Sequence, residues 1–120
     1  MGLFKRKRKF VRISKPFYIN YQIANEVLRP GYLSKDISEW GIRFSLYQEL
    51  QIGTSLKLYI YLEDCVEPVC VFGKVAWVKK TPGKEYPYEV GIKFDMVSAS
   101  FSSKIQNLIQ TIADQKKVKK

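Results

Sequence analysis

Residues 56–62, Leu-Lys-Leu-Tyr-Ile-Tyr-Leu, place an apolar side chain at every second position. Successive side chains of a strand point to opposite faces, so Leu56, Leu58, Ile60 and Leu62 face inward together. This period of two constrains the chain more than any other feature, because it recurs in short runs as far as residue 95. Phe17, Ile19, Tyr21 and Ile23 share one parity, and Asn20 and Gln22 take the other. Runs of this kind predict strands over 17–27, 32–37, Gly41–Leu46, 56–62, Val69–Lys80 and 88–95. The connectors carry turn chemistry. Arg29-Pro30-Gly31 reads as the turn of a hairpin joining the first two strands, and Pro and Gly fill the loop over 81–87. Gly73, inside the long fifth run, is a candidate bulge or bend.

From residue 98 the period changes. Phe101, Ile105, Leu108, Ile109 and Ile112 fall on one face of a helix expected over 98–115, with Ser98 or Ser100 available to cap its start. Six short strands and one terminal helix predict an all-β fold with a terminal helix: a six-stranded antiparallel β-barrel, one end closed by the helix. At 120 residues, 46% apolar and 14% aromatic, the chain suits one globular domain with a single core.

The charge is not spread over that domain. Lys5, Arg6, Lys7, Arg8, Lys9 and Arg12 are cationic, as are Lys116, Lys117, Lys119 and Lys120. Between Ile13 and Gln115 the cations and anions balance, 11 against 11, so the formal +10 sits on two tails. Like charges in a block repel and favour solvated chain. The expected organisation is therefore a flexible basic arm over 1–12, a barrel over 13–97, and a helix with a basic tail over 98–120. The arm is either a solubilising extension or a segment that waits for an anion.

Several classes are excluded. No histidine is present, which removes the commonest general base and metal ligand. No nucleophile–base pair or Gly-rich phosphate loop is visible, so the chain is not expected to be an enzyme. Cys65 and Cys70 lack the further ligands a zinc site needs, so no metal is expected; they read as ordinary thiols rather than a disulfide. No apolar run approaches the ~20 residues that span a bilayer, and the charged N-terminus is not followed by an apolar stretch of the secretory kind. These features point to the cytoplasm.

Two short patterns carry the functional signal. Arg8-x-x-x-Arg12 precedes the first strand, and Asp36-x-Ser38-x-x-Gly41 lies between the second and third. With a six-stranded barrel and a C-terminal helix, this pair resembles the PilZ domain family, bacterial receptors for cyclic di-GMP. The family pattern is R-x-x-x-R followed by D/N-x-S-x-x-G, and both halves match. Gly73-Lys-Val75-Ala-Trp77-Val and Gly91-Ile-Lys-Phe94 also look like the family's fifth and sixth strands. The resemblance covers nearly the whole chain.

The resemblance implies a ligand, cyclic di-GMP, with no cofactor and no metal. Arg8 and Arg12 would bind guanine and phosphate, since a guanidinium grips phosphate oxygens or the guanine O6/N7 edge in a fork and also stacks flat on a purine. Asp36 would accept from the opposite guanine edge, Ser38 would offer a hydroxyl, and Gly41 would let the backbone turn and approach without a Cβ. Asp36 and Ser38 also suit a plain side-chain-stabilised turn. Lys7 is a possible further phosphate contact or solvated charge. Trp77 is either core packing or a flat wall beside the ligand.

The function expected is a receptor and adaptor that changes conformation on binding the second messenger and passes the signal to a downstream effector protein. Two other classes compete: a small β-barrel binding single-stranded nucleic acid, and a membrane-surface adaptor using Leu3, Phe4 and the basic arm. Salt separates the first of these from the receptor. Nucleic-acid binding releases many counterions and falls steeply with salt, whereas a dinucleotide with two phosphates gives a shallow slope. Nucleic acid is not expected as the partner.

Overall fold

The computed structural model describes residues 13–62 and 67–118. Six strands follow one another: β1 Tyr18–Gln22, β2 Arg29–Ile37, β3 Gly41–Leu46, β4 Ser55–Tyr61, β5 Val69–Lys80 and β6 Tyr88–Met96. All pairings are antiparallel, and the order β1-β2-β3-β6-β5-β4 closes on itself. The closing pair is β1 with β4, from Tyr18 opposite Tyr61 to Gln22 opposite Lys57. Closure leaves no unpaired sheet edge. Helix α1, Ala99–Val118, follows β6. The expected architecture is therefore the one observed.

The interior is filled by the parity that the sequence showed. Ile19 and Tyr21 of β1, Phe44 and Leu46 of β3, Leu58 and Ile60 of β4, and Val90 of β6 are fully buried. Tyr21 is the largest of these. Its hydroxyl donates to Gln48 Oε1 at 2.7 Å, and its burial, with Tyr32 beside it, raises its pKa well above the tyrosine range. Ser98 caps α1 by accepting from the Phe101 amide at 3.1 Å. Phe101 and Ile105 are buried, and the Phe101 ring meets Phe94 edge-on at 5.4 Å. The helix thereby stoppers the barrel end where β6 finishes.

Two boundaries differ from expectation. The first strand stops at Gln22, and the turn follows at once, with Glu26 N bonded to Ile23 O at 2.8 Å and Ala24 at φ 47°. Arg29-Pro30-Gly31, expected to be that turn, lies inside β2. Ile19 faces Tyr32 and Tyr21 faces Arg29, so β2 carries an extra residue there. Gly31, at φ 91°, supplies the left-handed backbone of this bulge, and its N–H donates to Asn20 Oδ1 at 3.1 Å. The turn chemistry was real but serves a bulge.

Phe101→Ala tests the stopper. Removing a fully buried aromatic ring should cost about 3–5 kcal/mol. Urea unfolding should show a lower midpoint with the slope retained, as for a change in stability alone.

Candidate functional site

Asp36 is positioned by a bulge. Ser34 pairs with Phe44 and Asp36 pairs with Arg43, so Lys35 is an extra residue on β2. One added residue reverses every side chain beyond it. Strict alternation from Tyr32 and Ser34 would send Asp36 into the barrel. Instead Ile37 turns inward opposite Ile42, and Asp36 stands on the outer face opposite Arg43. Trp77 is positioned in the same way. Val75 faces Ile92 while Trp77 faces Gly91, which makes Ala76 the extra residue on β5. Val71 and Val75 are buried; Trp77, next but one, is 37% exposed. Of the two sequence readings, core packing is excluded.

These two bulges complete one row across the sheet. Asp36 on β2 faces Arg43 on β3, Arg43 faces Gly91 on β6, and Gly91 faces Trp77 on β5. The indole of Trp77 lies on Gly91, and a Cβ at that position would collide with the indole ring. The glycine is the space the tryptophan occupies.

Charge is paired along the row. Arg43 Nε and Nη2 donate to Asp36 Oδ2 at 3.0 and 2.7 Å, and Nη1 donates to Glu89 Oε2 at 3.0 Å. Glu89 is buried on β6, with Lys35 Nζ 3.9 Å from its other oxygen. Asp36 is 9% exposed, whereas the Arg43 side chain is 40% exposed. The carboxylates thus lie beneath and the guanidinium above. Such hydrogen-bonded ion pairs are stronger than exposed ones because their geometry is fixed.

The turn from β2 to β3 uses the motif hydroxyl internally. Ser38 is buried, its Oγ accepts from Trp40 N at 3.1 Å, and its own N–H donates to Gly41 O at 2.9 Å. Gly41 is required for a reason other than a left-handed turn, since its φ is not positive. A Cβ there would stand 2.5 Å from Ile92 O on β6. Close approach of two backbones is the constraint. The turn is held from outside by Gln106 of α1, which donates to Glu39 Oε2 at 2.7 Å.

The first described residue joins the same place. Ile13 N donates to Ile37 O at 2.7 Å, and Ile37 N donates to Ile13 O at 3.0 Å. The chain from the basic arm therefore meets the barrel between Asp36 and Ser38. Lys7, Arg8 and Arg12 lie outside the described residues, as does Cys65; Cys70 is an exposed free thiol. Beside the row runs a groove of about 840 Å³ lined by Tyr18, Leu33, Lys35, Lys79, Lys84 and Glu89. A smaller recess of about 260 Å³ lies between Trp40, Arg43, Trp77 and Lys93. Among the described residues no group of three or more acidic, Cys or His side chains is placed to hold a metal. No helix among them is long and apolar enough to cross a membrane.

Sequence reasoning missed Arg43 and Glu89. Arg43 left a signal: it stands between the inward Ile42 and Phe44, two residues after a motif glycine. Glu89 left none, because nothing in the sequence pairs it with Arg43 on another strand.

A small closed barrel with a basic arm joining it at a polar turn is the class of protein that these features define. The PilZ domain model matches residues 6–111, and the chain belongs to that family. Solved structures agree on the fold. The inhibitor of motility MotI/DgrA of Bacillus subtilis superposes with a TM-score of 0.71 at 22% identity, over 91% of this chain and 53% of that one. The PilZ domain of YcgR from Escherichia coli, solved with c-di-GMP, gives 0.68 at 18% identity, over 96% of this chain and all of that domain (100%). The MrkH–c-di-GMP complex of K. pneumonia gives 0.68 at 18% identity, over 96% of this chain and 56% of that one. The chain spans about half the length of MotI/DgrA and MrkH. No curated protein sequence matches it.

Two substitutions test the turn. Gly41→Ala should destabilise the fold by about 1–3 kcal/mol, because a backbone oxygen cannot swing away from the new methyl group. Ser38→Ala, which removes one hydrogen bond, should cost about 0.5–1.5 kcal/mol. Chemical denaturation reads both, with Gly41→Ala expected to be the worse.

Proposed function

We propose that this chain is a receptor for cyclic di-GMP that changes conformation on binding and passes the signal to a partner protein. One observation carries the reading above the rest: the paired hydrogen bonds between Ile13 and Ile37, which join the arm bearing Arg8-x-x-x-Arg12 to the barrel between Asp36 and Ser38. The residue that follows the first motif in sequence is thus bonded within the second. Family membership and the c-di-GMP bound in the YcgR and MrkH structures name the ligand.

In this reading residues 1–12 form the arm, 13–97 the barrel and 98–120 the helix with its basic tail. Arg8 and Arg12 grip the ligand's phosphates and the guanine O6/N7 edge, with Lys7 a further phosphate contact. Asp36 and Ser38 form the opposite wall; the Ser38 hydroxyl still has a proton to donate after accepting from Trp40. Gly41 keeps the wall close to β6. Trp77 flanks the site as a flat apolar surface. The role is binding, and no reaction is assigned.

Isothermal titration with cyclic di-GMP is the direct test, with GTP and linear pGpG as controls. Wild-type protein should bind the cyclic dinucleotide alone. Arg8→Ala and Arg12→Ala should each weaken binding roughly ten- to a hundredfold, as expected for loss of one charge-assisted contact of ~1.5–3 kcal/mol, while the unfolding midpoint stays unchanged. Wild-type affinity in both variants would sink the assignment. Trypsin offers a second check: saturating ligand should slow cleavage after Arg8 and Arg12 but leave cleavage at 116–119 unaltered.

A further inference from the structure

We propose that Arg43 is a ligand-contacting residue that presents the flat face of its guanidinium to a purine, and that Glu89 is the residue that positions it. The inference rests on the cyclic di-GMP reading above and goes beyond it, since neither residue belongs to the two motifs.

The geometry supports a face rather than a charge. Nε and Nη2 are tied to Asp36, and Nη1 to Glu89, so the plane is fixed from two strands. An untethered arginine must lose side-chain freedom when it stacks; this one has lost it already. Two carboxylates, Asp36 and Glu89, stand against two cations, Arg43 and Lys35, so the cluster is formally neutral and offers a phosphate little net attraction. The Arg43 side chain is nevertheless the most exposed member of the Asp36–Arg43–Glu89 triad, with Asp36 and Glu89 nearly buried beside it. Its neighbour on β6 is Gly91, whose missing side chain lets the Trp77 indole lie over that strand, next in the row after Arg43. Two buried acids, a locked planar cation and an indole laid over a glycine are the parts of a stacking surface. They are a poor design for an electrostatic clamp.

The consequence for Asp36 is specific. With Oδ2 committed to Arg43, its principal contribution is to aim the guanidinium, and an Asp36 variant loses affinity through Arg43.

Titration of Arg43→Lys, Arg43→Tyr, Glu89→Gln and the Arg43→Lys/Glu89→Gln double variant with cyclic di-GMP tests the assignment. Lysine keeps the charge and loses the plane; tyrosine keeps a plane and loses the charge. Arg43→Lys should weaken binding roughly tenfold, within the range for one stacked base, and Arg43→Tyr should bind better than Arg43→Lys. Glu89→Gln should weaken binding severalfold, yet add nothing in the Arg43→Lys background, because a positioning residue acts only through what it positions. Wild-type affinity in Arg43→Lys, or a Glu89→Gln loss that persists in full in the double variant, overturns the proposal. So does better binding by Arg43→Lys than by a folded Arg43→Tyr. If Arg43→Tyr shows no cooperative unfolding, the lysine variant and the double-variant comparison decide. Arg12→Ala separates the two readings. Weak binding by Arg12→Ala beside undiminished binding by Arg43→Lys removes only the Arg43 assignment. No binding by wild type removes the receptor reading and this one together.

Discussion

A strand gives its side chains only two directions, and the candidate site exists because that rule is broken at two places. Inserting Lys35 into β2 and Ala76 into β5 reverses the parity of everything that follows. Without the first bulge, Asp36 would point into a barrel interior filled by apolar side chains, where an unpaired carboxylate is costly. Without the second, Trp77 would compete with Val75 and Ile92 for the interior. With both, the hydrophobic alternation stays intact on either side. Asp36, Arg43, Gly91 and Trp77 fall in one line on the outer face. Bulges of this kind re-aim side chains near functional sites at little cost in pairing.

How far the sequence showed this depends on the kind of information each residue carries. The six strands and the helix were legible because burial imposes a period, and a period is local. Leu56, Leu58, Ile60 and Leu62 were read as an inward row and all four are buried. Ser98 was read as one of two caps and is the one that accepts from Phe101. Arg29-Pro30-Gly31 was misread because the same residues suit a tight turn and a bulge, and pairing across β1 decides between them. The ambiguity over Trp77 had the same origin: alternation alone sends it inward, and only the offset between β5 and β6 shows that Ala76 intervenes. The need for glycine at position 41 was legible in part. The approach read from the motif was that of backbone to ligand, whereas the constraint seen is an ordinary φ and an obstacle at Ile92 O, on a strand more than 40 residues away. Cross-strand facts of this kind leave no local trace, which is why Glu89 went unnoticed.

Charge follows the same division between local and non-local. The tails carry the excess cations, and the sequence shows that at sight. The balanced body hides a second arrangement, in which Arg43 and Lys35 neutralise Asp36 and Glu89 on the barrel wall. A wall of that kind attracts a dianionic ligand weakly. In the proposed receptor, attraction over distance would come from cations outside the row, such as Lys79 and Lys84 along the groove and those of the basic arm. The wall then supplies shape and fixed polar groups. This separation agrees with the general finding that charge sets encounter and selectivity, while packed, desolvated contacts set how long a complex lasts.

The turn at Ser38–Gly41 is where the segment at Ile13 and helix α1 both meet the barrel. Ile13 is bonded to Ile37 on one side of it, and Gln106 to Glu39 on the other. Behind it, Phe94 N donates to Trp40 O at 2.9 Å, which fastens the turn to β6 just before the helix begins. Phe94 in turn supports Phe101, the first buried residue of α1. The turn cannot shift toward a ligand without straining at least one of these attachments, and each lies on a different segment. Backbone bonds to Ile13 and Phe94 are rigid, while the Gln106–Glu39 contact joins two exposed side chains and is the cheapest to give up. Strain at the turn is therefore relieved first toward the helix, whose hold on the turn is that exposed side-chain contact.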